Sequence, residues 1–211
     1  MPGILITFEG GEGSGKSTQL ARLAARLLAA GREVVTVNEP GTTAVGGQIR
    51  SLLLHEKEGR GMHPKTELLL FAASRAQLME EVVKPALARA AVVLSDRFTD
   101  STVVYQGRAR GLDLEFIHAL NAFATGNVRP HLTLLFDLDL LTAQARLRRR
   151  VRPVGAYDRM EALPASFFQS VREGYLELAR MEPERFRLVN AVPPPEQVEE
   201  KVWEVTRGLF G

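Results

Sequence analysis

Short, continuously apolar runs alternate along the chain with longer segments whose apolar residues recur every three to four positions. The runs are residues 4–8, 34–37, 91–94, 132–136 and 186–189. They are rich in Val, Ile, Leu and Phe, and each predicts a strand apolar on both faces. The intervening segments predict helices. Residues 15–30 place Leu20, Leu23, Leu27 and Leu28 on one face, and Gly31 is a natural stop. Further helices are expected over 45–54, 66–90, 98–106, 113–125, 140–150, 164–180 and 195–207. In the longest, Leu68, Leu69, Phe71, Ala72, Leu78, Val82 and Val83 supply the apolar positions, and Pro85 kinks or restarts it. The glycines at 107 and 111 predict a loop between the fourth and fifth of these helices. Strands apolar on both faces, alternating with helices, predict an α/β fold: a five-stranded parallel sheet flanked by helices on both sides. In such a sheet, ligands collect at the carboxyl ends of the strands. Those ends carry residues 9–17, 38–41, Asp96-Arg97 and Asp137.

The first of these ends has a recognisable chemistry. Gly10, Gly15, Lys16 and Ser17 fit the phosphate-loop pattern G-x-x-x-x-G-K-[ST], and they lie between a strand and an amphipathic helix. The backbone of Gly10, Gly11, Glu12, Gly13, Ser14 and Gly15 can aim N–H groups at phosphate oxygens, and the helix beginning near Lys16, Ser17 and Thr18 adds its N-terminal dipole. Lys16 brings a mobile charge for the outer phosphates, and the Ser17 hydroxyl suits Mg²⁺, which prefers oxygen ligands. A phosphate chain such as that of ATP is the expected ligand. With the parallel sheet, this specifies a three-layer P-loop NTPase fold.

A nucleotide hydrolase needs only this loop, a carboxylate for magnesium and a positioned water. A kinase also needs an acceptor site facing the loop, and three stretches point to one. Asp96 and Arg97 follow a strand directly; Asp96 is placed to hold magnesium and Arg97 to fork onto a phosphate. Asp137 competes for the metal but lacks an adjacent arginine. Phe71 and Arg75 share a helix face at four-residue spacing, so a ring can stack on a base while the guanidinium reaches a carbonyl or a phosphate; spacing alone favours Phe71 as plain core. Arg146, Arg148, Arg149, Arg150 and Arg152 crowd beside Pro153 and Gly155. Charge closing over a transferring phosphoryl group is what such a lid, residues 146–158 or so, supplies.

The remaining composition narrows the setting. The 211 residues suit one domain, with the lid as an insert. A net charge of +2, with no aromatics interleaved in the arginine cluster, argues against a nucleic-acid partner. There is no cysteine, which excludes disulfides, thiolate metal sites and cysteine nucleophiles. No apolar run approaches the roughly 20 residues that span a bilayer, and residues 1–8 have no positively charged lead, so neither membrane nor export is expected. The reading is a cytoplasmic protein.

Taken together, these residues resemble one family, thymidylate kinase, over nearly the whole chain. The resemblance is carried by Phe8-Glu9-Gly10 with Glu12 and Gly15-Lys16-Ser17-Thr18; by Glu39-Pro40-Gly41; by Leu70-Phe71-Ala72-Ala73 with Arg75-Ala76-Gln77; by Ser95-Asp96-Arg97 with Ser101-Thr102 and Tyr105-Gln106-Gly107; and by Asp158-Arg159 with Glu161. It implies transfer of the γ-phosphoryl group of ATP to dTMP, with Mg²⁺, in a homodimer. It implies that Phe71 stacks on thymine and that Arg75 meets its carbonyl edge. Thr102 and Gln106 match positions near the same base, and Tyr105 matches a ring that crowds the sugar's 2′ position. Glu12 and Glu39 match acceptor-site positions, and Arg97 and Arg50 match acceptor-phosphate contacts. Asn38 stands where the family often has arginine, Ser74 and Asn190 where aspartate is common. Position 13, arginine in some members, is glycine; members without that arginine carry theirs in the lid, which makes Arg150 or Arg152 the expected catalytic arginine. Two rival readings remain: a kinase for another nucleoside monophosphate, and a nucleotide-dependent switch, which often carries an Asn-Lys-x-Asp guanine motif absent here.

Overall fold

The structure is a computed structural model and describes residues 2–54, 59, 61–149, 159–160 and 163–211. Five strands form one parallel sheet: β1 (Ile4–Glu9), β2 (Val34–Asn38), β3 (Val92–Asp96), β4 (Leu132–Asp137) and β5 (Phe186–Asn190), in the order β2-β3-β1-β4-β5. Successive side chains on a strand point to opposite faces. In β1, Ile6 and Phe8 enter the core beneath α1 (Lys16–Ala29) and α9 (Pro195–Thr206), while Leu5 packs on the other side with Leu78, Met79 and Phe98. Both faces are covered, so the strands read as unbroken apolar runs.

On the second face lie α3 (Pro64–Leu78), α5 (Thr99–Thr102), α6 (Leu114–Thr125) and α8 (Ala165–Met181), with α2 (Ala44–Leu54) packed on α3 and α7 (Leu140–Arg149) on α8. Three helical details differ from the pattern-based expectation. Leu28 is 57% exposed and belongs to the outer face of α1. The long helix is continuous from α3 through a π-helical turn, Met79–Val83, into α4 (Lys84–Ala88). The wide turn comes directly before Pro85, which lacks an N–H and crowds the preceding carbonyls. Gly107, expected in a loop, lies inside a π-helical continuation of α5, Val103–Ala109. Its missing side chain admits α6: a β-carbon there would meet Leu114 Cδ2 at 2.4 Å. The loop is accordingly short, and α6 begins with Asp113 capping the Phe116 N–H at 2.6 Å. Among the described residues no helix is long and apolar enough to cross a membrane.

Candidate active site

The register brings the polar strand ends together. Phe8 and Asn38 both pair with Asp96, and Asp137 pairs with Asn190, so β1, β2, β3 and β4 finish at one edge. The phosphate loop crosses that edge. Gly10 has φ 134°, and a β-carbon would stand 2.4 Å from the Phe136 carbonyl oxygen, so only glycine fits. Gly15 is left-handed at φ 86° and caps α1 without a side-chain hydrogen bond, which leaves the first-turn N–H groups to an anion. Lys16 is buried, and its ammonium donates to Gly10 O (3.1 Å), Gly11 O (2.8 Å) and Ser14 Oγ (3.4 Å). Burial lowers its pKa to about 8, helped by Arg97 and opposed by Glu12 and Asp96. Ser14 Oγ closes the loop onto Gly11 O at 2.9 Å. Ser17 and Thr18 are exposed at the helix start, and Ser17 Oγ donates to Asp96 Oδ2 at 2.5 Å. A hydroxyl beside a carboxylate is a hard-oxygen donor pair that fits Mg²⁺ retaining several of its waters.

Asp137, the rival for the metal, is otherwise engaged. Arg172 of α8 holds it in a fork, Nε to Oδ1 at 2.7 Å and Nη2 to Oδ2 at 2.9 Å.

Arg97 sits at φ 70°, an unusual conformation for a non-glycine residue and the kind of local strain that a functional site retains. The surroundings hold it there. Its N–H donates to Phe8 O at 3.0 Å. Its guanidinium pairs with Glu12 and donates to Gly10 O (3.2 Å), Ser101 Oγ (3.2 Å) and Tyr175 Oη (3.3 Å), and it lies 5.0 Å from the centre of the Tyr105 ring. Beneath it, Glu9 accepts from the Phe98 N–H (2.7 Å), Ser101 Oγ (2.6 Å) and Tyr175 Oη (2.7 Å). Burial pushes the Glu9 carboxyl up to about 7, with Asp100 adding to the rise and Arg97 opposing it. The anchoring roles of Glu9 and Tyr175 were not legible beforehand. They are 166 residues apart, so no local spacing joins them.

On the other side of the cleft, Arg75 is only 1% exposed. Its guanidinium pairs with Glu39 and donates to Asn121 Oδ1 (2.6 Å), Thr102 Oγ1 (2.7 Å) and Phe98 O (3.3 Å). Burial raises Glu39 to about 7 despite the opposing Arg75 charge. Phe71, one turn before Arg75, is half-buried and packs against the apolar cluster that includes Leu68, Val104 and Tyr105. Thr102, Gln106 and Tyr105 are buried, and the Tyr105 ring lies against the Arg97 guanidinium. Arg50 donates to Pro40 O at 2.7 Å, and Asn38 Nδ2 ties the same turn through Pro40 O at 3.0 Å. Asn121 and Glu67 are further polar residues of this wall that periodicity did not single out; both sit in helices where they read as ordinary surface positions.

The structure therefore brings together the loop, Asp96-Arg97, Glu12, Glu39, Phe71, Arg75, Thr102, Tyr105 and Gln106. Of the arginine cluster, Arg146 donates to Val192 O at 3.1 Å. Arg150 and Arg152 lie outside the described residues.

The chain is similar to known proteins over nearly its full length. The thymidylate kinase family model matches residues 8–202. A thymidylate kinase of Syntrophotalea carbinolica is 46% identical over 205 residues, covering 96% of this chain and 94% of that protein. One from Deinococcus radiodurans is 45% identical, with 95% of each chain covered. The crystal structure of thymidylate kinase from Ehrlichia chaffeensis superposes with a TM-score of 0.77 at 30% identity, covering 97% of this chain and 99% of that one. The chain belongs to the thymidylate kinase family.

Proposed function

We propose that the chain transfers the γ-phosphoryl group of ATP to dTMP, giving dTDP and ADP, with the residues of this one cleft as the machinery. The carrying observation is that a phosphate loop and the Arg97 turn share an edge of the sheet, bridged by the Arg97–Glu12 ion pair. The acceptor phosphate is already anionic at neutral pH, so no strong base is needed, and catalysis is positioning plus charge stabilisation. The loop amides and Lys16 hold the ATP phosphates. All three Lys16 donors are satisfied by the loop, so a phosphate oxygen replaces a carbonyl that already holds the ammonium. Ser17 and Asp96 would hold Mg²⁺, which supplies charge neutralisation on the phosphates when bound. Arg97 and Arg50 receive the acceptor phosphate, Phe71 its base, and Arg75 with Thr102 and Gln106 the edge of that base. Glu12, Glu39 and Tyr105 line the sugar and phosphate side. By the family resemblance, Arg150 or Arg152 would supply the closing positive charge.

A homodimer in the cytoplasm completes the reading. Phe116 and Phe123, seven residues apart on one face of α6, are 54% and 83% exposed, and Leu69 of α3 is 53% exposed. α3 and α6 pack together, and exposed apolar side chains on both are suited to burial against a second copy.

The test is ADP production with dTMP, dUMP, dCMP, UMP and AMP in turn, each with and without a magnesium chelator. Preference for dTMP and loss of turnover on chelation are expected. Equal or better use of another monophosphate overturns the substrate, and turnover that survives chelation overturns the metal.

A further inference from the structure

Two helical segments face each other across the base-binding wall and pair residue by residue. On α3, Glu67, Phe71 and Arg75 recur every four positions. On α5 and its π-helical continuation, Thr102 and Gln106 do the same, and Arg110 caps the end four residues on. Arg75 Nη2 donates to Thr102 Oγ1 at 2.7 Å. Gln106 Nε2 donates to Glu67 Oε1 at 2.9 Å, and Arg110 reaches the same carboxylate from Nε at 3.3 Å and Nη2 at 3.1 Å. The segments run antiparallel, and Phe71 stands between the two polar rungs.

Glu67 is fully buried. Burial works to raise its pKa, but hydrogen bonds from Gln106 and Arg159 and the charges of Arg110 and Arg159 outweigh it and hold the carboxyl below its usual range. Glu67 is thus a carboxylate at neutral pH, and a carboxylate only accepts. Gln106 must turn its amide nitrogen toward Glu67, which leaves its carbonyl oxygen as the atom for a base. Among the described residues no donor is bonded to that oxygen.

We infer that Glu67 is a positioning residue for specificity: it locks Gln106 as an acceptor and thereby selects bases with an N–H at position 3. Thymine and uracil carry that N–H. Cytosine presents a bare N3, so two acceptors would face each other. This rests on the reading that Gln106 meets the base. A buried polar group left unpaired by the wrong substrate discriminates strongly, so the amide orientation is expected to be worth roughly 10- to 100-fold in kcat/KM.

The experiment measures kcat/KM for dTMP and dCMP in Glu67→Gln, Gln106→Ala, the double variant and Arg110→Ala. In Glu67→Gln a neutral amide can donate to the Gln106 oxygen, which frees Gln106 to flip. The dTMP:dCMP ratio is expected to fall about 10-fold or more, with KM for ATP unchanged. Glu67→Gln is expected to add nothing in the Gln106→Ala background. Arg110→Ala leaves the Glu67–Gln106 bond in place and should keep the wild-type ratio. Should Glu67→Gln not fold, Glu67→Asp keeps the charge for the arginines but withdraws it from Gln106, and the same fall is expected. A wild-type ratio in the Glu67 variant, or a fall that persists without Gln106, overturns the positioning role. A Gln106→Ala enzyme with unchanged kcat/KM for dTMP instead overturns the placement of Gln106 at the base.

Discussion

A β-carbon on Gly13 would stand 2.9 Å from the carbonyl oxygen of Ala143, so α7 rests directly on the phosphate loop. Leu147 Cγ is next, at 3.3 Å. Glycine at position 13 is therefore a packing requirement, and an arginine here would displace α7.

Three loop glycines separate strain from contact. Gly13 has φ 73° and the close approach; Gly15 has φ 86° and open space; Gly11 has open space and no left-handed φ. Substitution by alanine is expected to be nearly neutral at Gly11 and to cost about 1 kcal/mol at Gly15. At Gly13, overpacking adds to the strain, for about 2 kcal/mol or more and a Tm lower by roughly 4–8 °C. Scanning calorimetry without nucleotide ranks the three. A Gly13→Ala protein that melts with Gly15→Ala would show that the Ala143 contact is immaterial.

Such contacts explain what the linear pattern could and could not carry. The five strands were legible because both sheet faces are covered, and the loop was legible because its spacing is its mechanism. Gly107 was misread because a glycine's local meaning is to break a helix, whereas here its empty side receives Leu114 of α6. The Glu9–Tyr175 and Arg75–Asn121 bonds join residues 166 and 46 positions apart, and only the tertiary fold brings them together.

The depressed pKa of Lys16 has a kinetic consequence. Free enzyme loses the ammonium as pH rises through about 8, and with it part of the attraction for phosphate. Bound phosphate restores the charge. The expected profile is kcat/KM for ATP falling above about pH 8 while kcat stays level to higher pH, because the former reports the free enzyme. Lys16→Arg should turn over more slowly yet lack this alkaline limb, since a guanidinium stays charged. A limb unchanged in Lys16→Arg assigns it to another group.

Glu39 makes stability depend on pH in the opposite sense to a typical surface carboxylate. Its pKa rises from an ordinary 4.5 unfolded to about 7 folded, chiefly through burial. Between those values the folded protein binds the extra proton, so the stabilisation is full below 4.5 and is lost as pH rises through 7. Glu9, raised to the same range, acts alike. The difference in Tm between pH 5.5 and 7.5 should therefore be smaller in Glu39→Gln than in the wild type. Identical differences would mean that Glu39 stays ionised across this range.

Phe71 decides whether the wall facing Arg97 is a base site. It lies one turn from Arg75 on α3 and is half-buried, and four residues on the other side stands Glu67. A base stacked on an aromatic ring gains about 1–3 kcal/mol, so Phe71→Ala is expected to weaken dTMP binding by roughly 5- to 150-fold in titration calorimetry. ATP affinity should be untouched, because Phe71 is absent from the loop contacts. Phe71→Trp should restore most of the binding, since a larger aromatic face stacks at least as well. Loss of both affinities together, or loss with no rescue by tryptophan, would return Phe71 to the core as a packing residue.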